Sequence, residues 1–428
     1  MCLHAGFFYV KIKNCVCTKQ YRKRVTVMIK AAVLGYGTVG SGIVSVIENN
    51  ADVIAAHGVD MHVKYILDLR DFPGDPFEKL VVHDFDQILN DDEVKIVCEA
   101  MGGTEPAFTF SKKAMEAGKS VCTSNKELVA EKGAELMEIA KKNNVNYLFE
   151  ASVGGGIPIL RTLNDALTAE RIESIQGILN GTTNYILTKM EKEGADFDAV
   201  LKEAQEKGYA ERNPEADIEG YDACRKIAII VSLISHKRAD WEQIHTEGIT
   251  KISSVDFKYA HKLGRTIKLI AACHKTEKGY AAIVSPRMID KENPINCAQG
   301  VFNAVLVHSD MLDDSLYYGR GAGKLPTASA VVGDAVELAR HLGDHFSAGW
   351  SAEEVALDPV EDSEFEYFVR CKGAFSDNEA ALKAAFGSVK PVDASEAGEF
   401  GFTTSLMKEG SFMNAYNALD GKLNYIRL

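Results

Sequence analysis

The stretch MIKAAVLGYGTVG, residues 28–40, sets a short apolar run directly against a Gly-x-Gly-x-x-Gly turn. Ala31–Leu34 predicts a strand, and Ile43, Val44, Ile47 and Ile54 recur at helical spacing after the turn. The three glycines have a physical job. They let the backbone turn tightly and approach a pyrophosphate without a Cβ in the way, and the helix start then offers its free N–H groups. With a strand before, a helix after and another strand beyond, the motif predicts a dinucleotide held by Gly35, Gly37, Thr38, Val39 and Gly40. A purely structural tight turn is the competing reading.

Downstream, strand candidates at Val63–Leu67, Val94–Glu99, Ser120–Thr123 and Asn146–Ala151 are interspersed with helices such as Phe108–Ala117 and Glu127–Lys142. This alternation predicts an α/β fold, a parallel sheet with helices on its faces. In such folds the end of the second strand chooses the cofactor. Asp68 favours NAD through the ribose hydroxyls, Arg70 favours NADP through a 2′-phosphate, and both readings stay open. Lys126, in Ser124-Asn125-Lys126, follows Ser120–Thr123 and so falls at a carboxyl end of the sheet, where ligands bind. The plainer alternative is a surface lysine.

The rhythm changes at Gly154-Gly155-Gly156-Ile157-Pro158. Beyond it come a strand at Glu173–Leu179, helices near Thr183–Lys192, Phe197–Lys207 and Asp222–Ile234, and β-rich runs at Thr266–His274 and Ala281–Pro286. That is an α+β unit, followed by a helix at Pro326–His341. After Asp358-Pro359 the order is strand Phe365–Cys371, helix Glu379–Phe386, strands Val389–Asp393 and Gly401–Leu406, helix Phe412–Leu419 and strand Leu423–Leu428. This β-α-β-β-α-β order is ferredoxin-like.

The 428 residues carry a net charge of −13, with 46% hydrophobic and 25% charged side chains. That composition excludes bulk disorder, and the acidic balance argues against a nucleic-acid partner, which needs a basic footprint. No apolar run reaches about 18 residues, so no membrane span is expected. Residues 1–27 hold six basic side chains and no acidic one, which leaves −19 for the remainder. Their charges follow the apolar stretch instead of preceding it, and no serine occurs, so neither a signal peptide nor a transit peptide fits. We read residues 1–27 as an extension outside the fold, with Met28 opening the functional protein; a real basic arm is the competing reading. Nine widely spaced cysteines without a Cys-x-x-Cys fit reduced thiols in a cytoplasmic protein.

The densest chemistry lies in GYAERNPEADIEGYDACRK, residues 208–226. An acidic stretch is usually a solvated face. Here Asn213-Pro214 and Gly220 impose turns, so Glu211, Glu215, Asp217, Glu219 and Asp222 are able to converge. Asp222 and Lys226 are also i, i+4 on one helix face, ahead of the apolar Ile227–Ile230. A lysine at the start of a buried helix, paired with a carboxylate, is tunable as an acid or base. Gly319-Arg320-Gly321-Ala322-Gly323 before Pro326 reads as a second glycine loop entering a helix, either a cofactor neighbour at Gly323 or a mobile loop. Cys98, Cys122 and Cys224 fall within regular elements and read as small core residues, so no cysteine nucleophile is expected.

Together these residues resemble the homoserine dehydrogenase family. The run from Ala204 through Gly208-Tyr209-Ala210-Glu211, Asn213-Pro214, Asp217-Ile218, Gly220 and Asp222 to Lys226 matches the family signature without a gap. ASVGGGIPI (151–159), NGTTNYILTKM (180–190) and GRGAGKLPTASAVVGDAVE (319–337) resemble family segments in the family's order. The resemblance covers about residues 29–345. It implies NAD(P)H-dependent interconversion of L-aspartate 4-semialdehyde and L-homoserine, in threonine, methionine and isoleucine biosynthesis. By position it makes Lys126 and Lys226 the proton-transfer lysines, with Asp222 orienting Lys226 and the substrate. Glu211 and Asp217 would bind the substrate ammonium. Glu150 with backbone oxygens of Val153, Gly155 and Ile157 matches a monovalent cation site, sodium by preference. The implied architecture is a Rossmann-type nucleotide-binding domain (28–157 plus about 311–345), a catalytic and dimerisation domain (158–310) and an ACT-like C-terminal domain (360–428), in a homodimer or homotetramer. The last unit lacks the usual D-x-P-G turn. Lys372-Gly373-Ala374-Phe375 stands there, and both an amino-acid-sensing and a structural role stay open. The competing functions are a non-catalytic NAD(P)-binding sensor and a related aldehyde reductase.

Overall fold

The structure is a computed structural model and describes residues 28–346 and 349–428. The extension expected over residues 1–27 lies outside the described residues. No helix among the described residues is long and apolar enough to cross a membrane.

The first unit is a six-stranded parallel sheet. Its strands are β1 (Met28–Leu34), β2 (Asp60–Leu67), β3 (Val81–Val82), β4 (Val94–Glu99), β5 (Ser120–Thr123) and β6 (Tyr147–Leu148), in the order β3-β2-β1-β4-β5-β6. Ala31 through Leu34 are fully buried, as a central parallel strand covered by helices on both faces must be. Strand order reverses between β1 and β4, and ligands bind in the crevice outside the carboxyl ends at such a point. Two helices begin at those ends: α1 (Thr38–Asn49) after β1 and α2 (Lys126–Lys142) after β5. The strand expected at Asn146–Ala151 is shorter, because Glu150–Ser152 turn into a 3-10 segment that leaves the sheet.

The second sheet is antiparallel over its first half. β7 (Ile172–Ile178), β8 (Arg265–Lys275), β9 (Tyr280–Asp290), β10 (Phe302–Ser309) and β11 (Asp313–Arg320) lie in the order β11-β10-β7-β8-β9. Helices α3 (Gly181–Glu193) and α4 (Tyr221–Ser235) belong to this unit. α4 is apolar nearly all round, and Ile227, Ile229, Ile230 and Val231 are fully buried. The β10–β11 hairpin corrects the sequence reading, which placed no strands there and assigned about 311–345 to the nucleotide unit. Asp313–Arg320 pairs with Phe302–Ser309 in the second sheet. The chain returns to the first unit with α5 (Lys324–Arg340). A Cβ on Gly42 of α1 would lie 2.7 Å from the Lys324 carbonyl oxygen, so the two helices approach backbone to backbone.

The C-terminal unit continues the same sheet. β12 (Tyr367–Lys372), β13 (Val389–Val392), β14 (Glu399–Thr404) and β15 (Lys422–Arg427) extend it in the order β9-β15-β12-β14-β13. With helices Phe375–Phe386 and Glu409–Ala418 this gives β-α-β-β-α-β, the ferredoxin-like order. The join to β9 is narrow, one parallel register pair of Arg287 with Arg427. Arg427 is fully buried and clamps it. Its guanidinium donates to Glu409 at 2.9 and 2.6 Å and to Glu247 at 2.9 and 2.8 Å.

Candidate active site

The glycine turn has the geometry its spacing asks for. Gly35 sits at φ +88°, in the left-handed region where a side chain is strained, and a Cβ on Gly40 would fall 1.8 Å from the Gly35 carbonyl oxygen. A Cβ at Gly37, which caps α1, would meet nothing within 4 Å. Thr38 is exposed and Val39 half-buried in the first turn of α1, so its free N–H groups face open space suited to a phosphate. At the end of β2 the two rival cofactor residues hold each other. The Arg70 guanidinium donates twice to Asp68, at 2.9 Å each, and Asp68 also accepts the Tyr36 backbone N–H at 2.8 Å. Arg70 holds the Asp68 carboxyl well below the usual carboxylate range, against the opposing effect of burial.

Asp222 is the centre of the second group. It sits in the first turn of α4, only 2% exposed. Gly220, at φ 86°, caps that helix with a turn that a side chain would strain. Lys226, one turn further, donates to Asp222 Oδ2 at 2.6 Å and to the Leu179 carbonyl oxygen at 2.8 Å. Lys126, the first residue of α2, reaches Asp222 Oδ1 from the nucleotide unit at 2.6 Å. A cation at a helix N-terminus is disfavoured by the helix dipole, so the carboxylate is what keeps it there.

The electrostatics separate the two lysines. Burial pushes the Lys226 ammonium below its usual range, with Asp222 opposing. The charge on Asp222 lifts Lys126 above its usual range, with burial opposing. Burial would raise the Asp222 carboxyl, but the two ammoniums outweigh it and hold it ionised. Asp217 is raised, by burial and by its neighbour Asp222.

Asn180 joins these groups, and the sequence reading gave it no role. It caps α3 by accepting the Thr183 N–H at 2.8 Å, and its amide donates to Asp217 at 2.7 Å and to Asp222 at 2.9 Å. The available signal was an Asn-Gly-Thr-Thr run at a strand-to-helix junction, an N-cap pattern. Glu211 remains exposed, outside this cluster, with its backbone carbonyl accepting from the Gln205 amide at 3.1 Å.

The loop proposed for a cation is tightly folded. Gly154 and Gly155 sit at φ 71° and 55°, and a Cβ on Gly155 would lie 2.5 Å from the Gly321 carbonyl oxygen. Gly156 donates its N–H to the Arg320 carbonyl at 3.1 Å, so this loop and the 319–323 loop are pressed together just before Gly323 caps α5. The Glu150 carboxylate is already engaged, accepting the N–H groups of Leu160 and Arg161 at 2.9 and 2.6 Å. The Ile157 carbonyl accepts the Ile159 N–H at 2.8 Å and keeps one lone pair. The Glu150 carboxylate and the backbone carbonyls of Val153, Gly155 and Ile157 are oxygen donors of the kind a hard cation takes, and two accepted N–H groups leave the carboxylate further lone pairs.

Comparison with known proteins identifies the family of the chain. Residues 35–150 match the family model described as homoserine dehydrogenase, NAD binding domain, and residues 158–336 match the model described as homoserine dehydrogenase. The homoserine dehydrogenase of Helicobacter pylori is 37% identical over 92% of this chain and 95% of its own. That of Neisseria gonorrhoeae is 43% identical over 73% of this chain and 72% of its own. Among solved structures, a homoserine dehydrogenase from Thiobacillus denitrificans superposes with a TM-score of 0.86 at 35% identity, over 94% of this chain and 98% of its own. A hyperthermophilic archaeal homoserine dehydrogenase in complex with NADPH gives 0.62 at 27% identity, over 75% of this chain and 99% of its own.

Proposed function

Because the chain belongs to the homoserine dehydrogenase family of NAD(P)-dependent oxidoreductases, we propose that the cluster around Asp222 reduces L-aspartate 4-semialdehyde to L-homoserine and reverses that reaction. The observation that carries the reading is one buried carboxylate gripped by two lysines, one from each side of the crevice. Bound at the glycine turn, the nicotinamide cofactor supplies the hydride. Lys226 is the proton donor to the developing alkoxide, because burial moves its ammonium toward the working range of a general acid. Lys126 stays cationic and stabilises negative charge on the reacting oxygen. Asp222 holds both ammoniums at fixed positions, so orientation is arranged before the substrate arrives. Asp217 binds the substrate ammonium.

The cofactor turn accepts NAD or NADP, with Asp68 and Arg70 setting the ratio. A sodium ion on the backbone oxygens of Val153, Gly155 and Ile157 stiffens the loop beside Glu150. We assign a homodimer or homotetramer, to which the exposed Leu312, Leu316 and Tyr318 of the β10–β11 hairpin contribute. A cytoplasmic location fits the unpaired cysteines Cys98, Cys122, Cys224, Cys273, Cys297 and Cys371. The test is direct. Purified protein given L-aspartate 4-semialdehyde should oxidise NADPH or NADH, followed at 340 nm. Normal cofactor binding without turnover would overturn the reading.

A further inference from the structure

Glu99, the last residue of β4, is fully buried, and among the described residues no cation pairs with it. Placing a carboxyl there is costly unless its hydrogen bonds are specific. They are. It accepts the Met101 backbone N–H at 2.6 Å and the Thr123 hydroxyl from the neighbouring strand. Thr123 Oγ1 in turn accepts the Asn125 N–H at 2.9 Å. Asn125 caps α2 by accepting the Leu128 N–H at 3.1 Å, and its amide donates back to the Gly103 carbonyl at 2.7 Å. The circuit closes on the exit loop of β4. That loop touches the cofactor turn, because a Cβ on Gly35 would meet the Ala100 carbonyl oxygen and Met101 Cγ at 3.0 Å each. The residue following Asn125 is Lys126. The titratable groups that feel the charge of Glu99 are Tyr147 on β6 and Cys122 on β5, both fully buried or nearly so and both pushed upward by burial.

We propose that Glu99 is a positioning residue for the reaction: through Thr123 and Asn125 it locks the exit loop of β4 to the start of α2, and so fixes the Lys126 ammonium relative to the cofactor turn. An apolar side chain would fill the same space but would specify no single geometry, whereas a satisfied buried polar circuit does. The proposal rests on the role given to Lys126 above.

The test uses the full chain carrying Thr123→Val, Thr123→Ser or Glu99→Gln. Thr123→Val is nearly isosteric and cuts the circuit at its middle. It should lower kcat about 10- to 100-fold, the scale of a small misplacement at a reacting centre. NADPH affinity should change less than about threefold, the part expected of a binding site left intact. Amide exchange should rise at residues 100–103 and 125–128. Thr123→Ser restores the hydroxyl and should recover most of kcat, and Glu99→Gln, which keeps one acceptor, should fall between. A Thr123→Val enzyme with wild-type kcat, a Thr123→Ser enzyme as slow as Thr123→Val, or unchanged exchange at 125–128 would each overturn the proposal. A wild-type protein inactive on aspartate semialdehyde would instead defeat the catalytic reading, while the exchange comparison still decides whether Glu99 is coupled to α2.

Discussion

Replacing Lys226 with methionine removes the ammonium and keeps most of the side chain's length. Two costs follow, and the structure separates them. The first is catalytic. A positioned general acid contributes about 10²–10⁴-fold, or about 3–5 kcal/mol of barrier, so kcat should drop by that factor in both directions. The second is structural. Asp222 is 2% exposed and loses one of the two ammoniums that hold it ionised. Orphaning a buried charge costs about 3–5 kcal/mol, but Lys126 at 2.6 Å and Asn180 at 2.9 Å remain, so about 3 kcal/mol is expected. The double variant Asp222→Asn/Lys226→Met removes the half-paired carboxylate but leaves Lys126 without its partner. It should regain only part of the stability and none of the activity. Urea unfolding measures the stability and initial rates at 340 nm the activity. A Lys226→Met enzyme within tenfold of wild-type kcat, or a double variant whose activity returns with its stability, would refute the assignment of Lys226 as the proton donor.

Other perturbations probe the remaining parts. Asp68→Ala frees the Arg70 guanidinium, so the kcat/KM ratio of NADPH over NADH should rise about tenfold, near the worth of one charged hydrogen bond; an unchanged ratio removes the pair from cofactor choice. With Lys226 as the proposed proton donor, reduction draws on its ammonium and oxidation on its amine, so as pH rises the first rate should bend down and the second bend up at a common value below 10.5; a bend at or above 10.5 contradicts the effect of burial. Asn180→Ala should cost about 1 kcal/mol through the lost cap and raise KM for the aldehyde, with NADPH affinity untouched. Burial pushes the Glu99 carboxyl up to about 7, so between its ordinary 4.5 and 7 the folded protein holds a proton that the unfolded chain has released. Stability should therefore fall as pH rises through that window, and a Glu99→Gln variant should show a flatter profile in thermal melts.

Much of this was legible because the chemistry is local in sequence. The glycine turn lies within a few residues, and Asp222 and Lys226 are one helical turn apart. β4 and β5 also fall on the residues their apolar runs mark. What was missed is what only the fold brings together. Phe302–Ser309 is buried on nearly every residue, so it lacks the alternation that identifies a half-buried strand. Asn180 and Glu99 each look like ordinary strand-end polar residues until the neighbouring strand or helix arrives. Asp68 and Arg70 were read as rivals, since one dimension gives no sign that they are bonded partners. Arg427 carried no motif, because its two acceptors come from distant segments.

Arg427 also changes how a lesion near the end of the chain should be judged. Premature stops in the final codons of a gene are commonly scored as mild, since little is lost. Here a stop shortly before residue 427 deletes the side chain that neutralises Glu409, which is 3% exposed, together with Glu247 in the catalytic unit. Two carboxylates would be left facing each other across a narrow join. Such an allele belongs with core-disrupting mutations, and a survey of variants in this protein should rank it there.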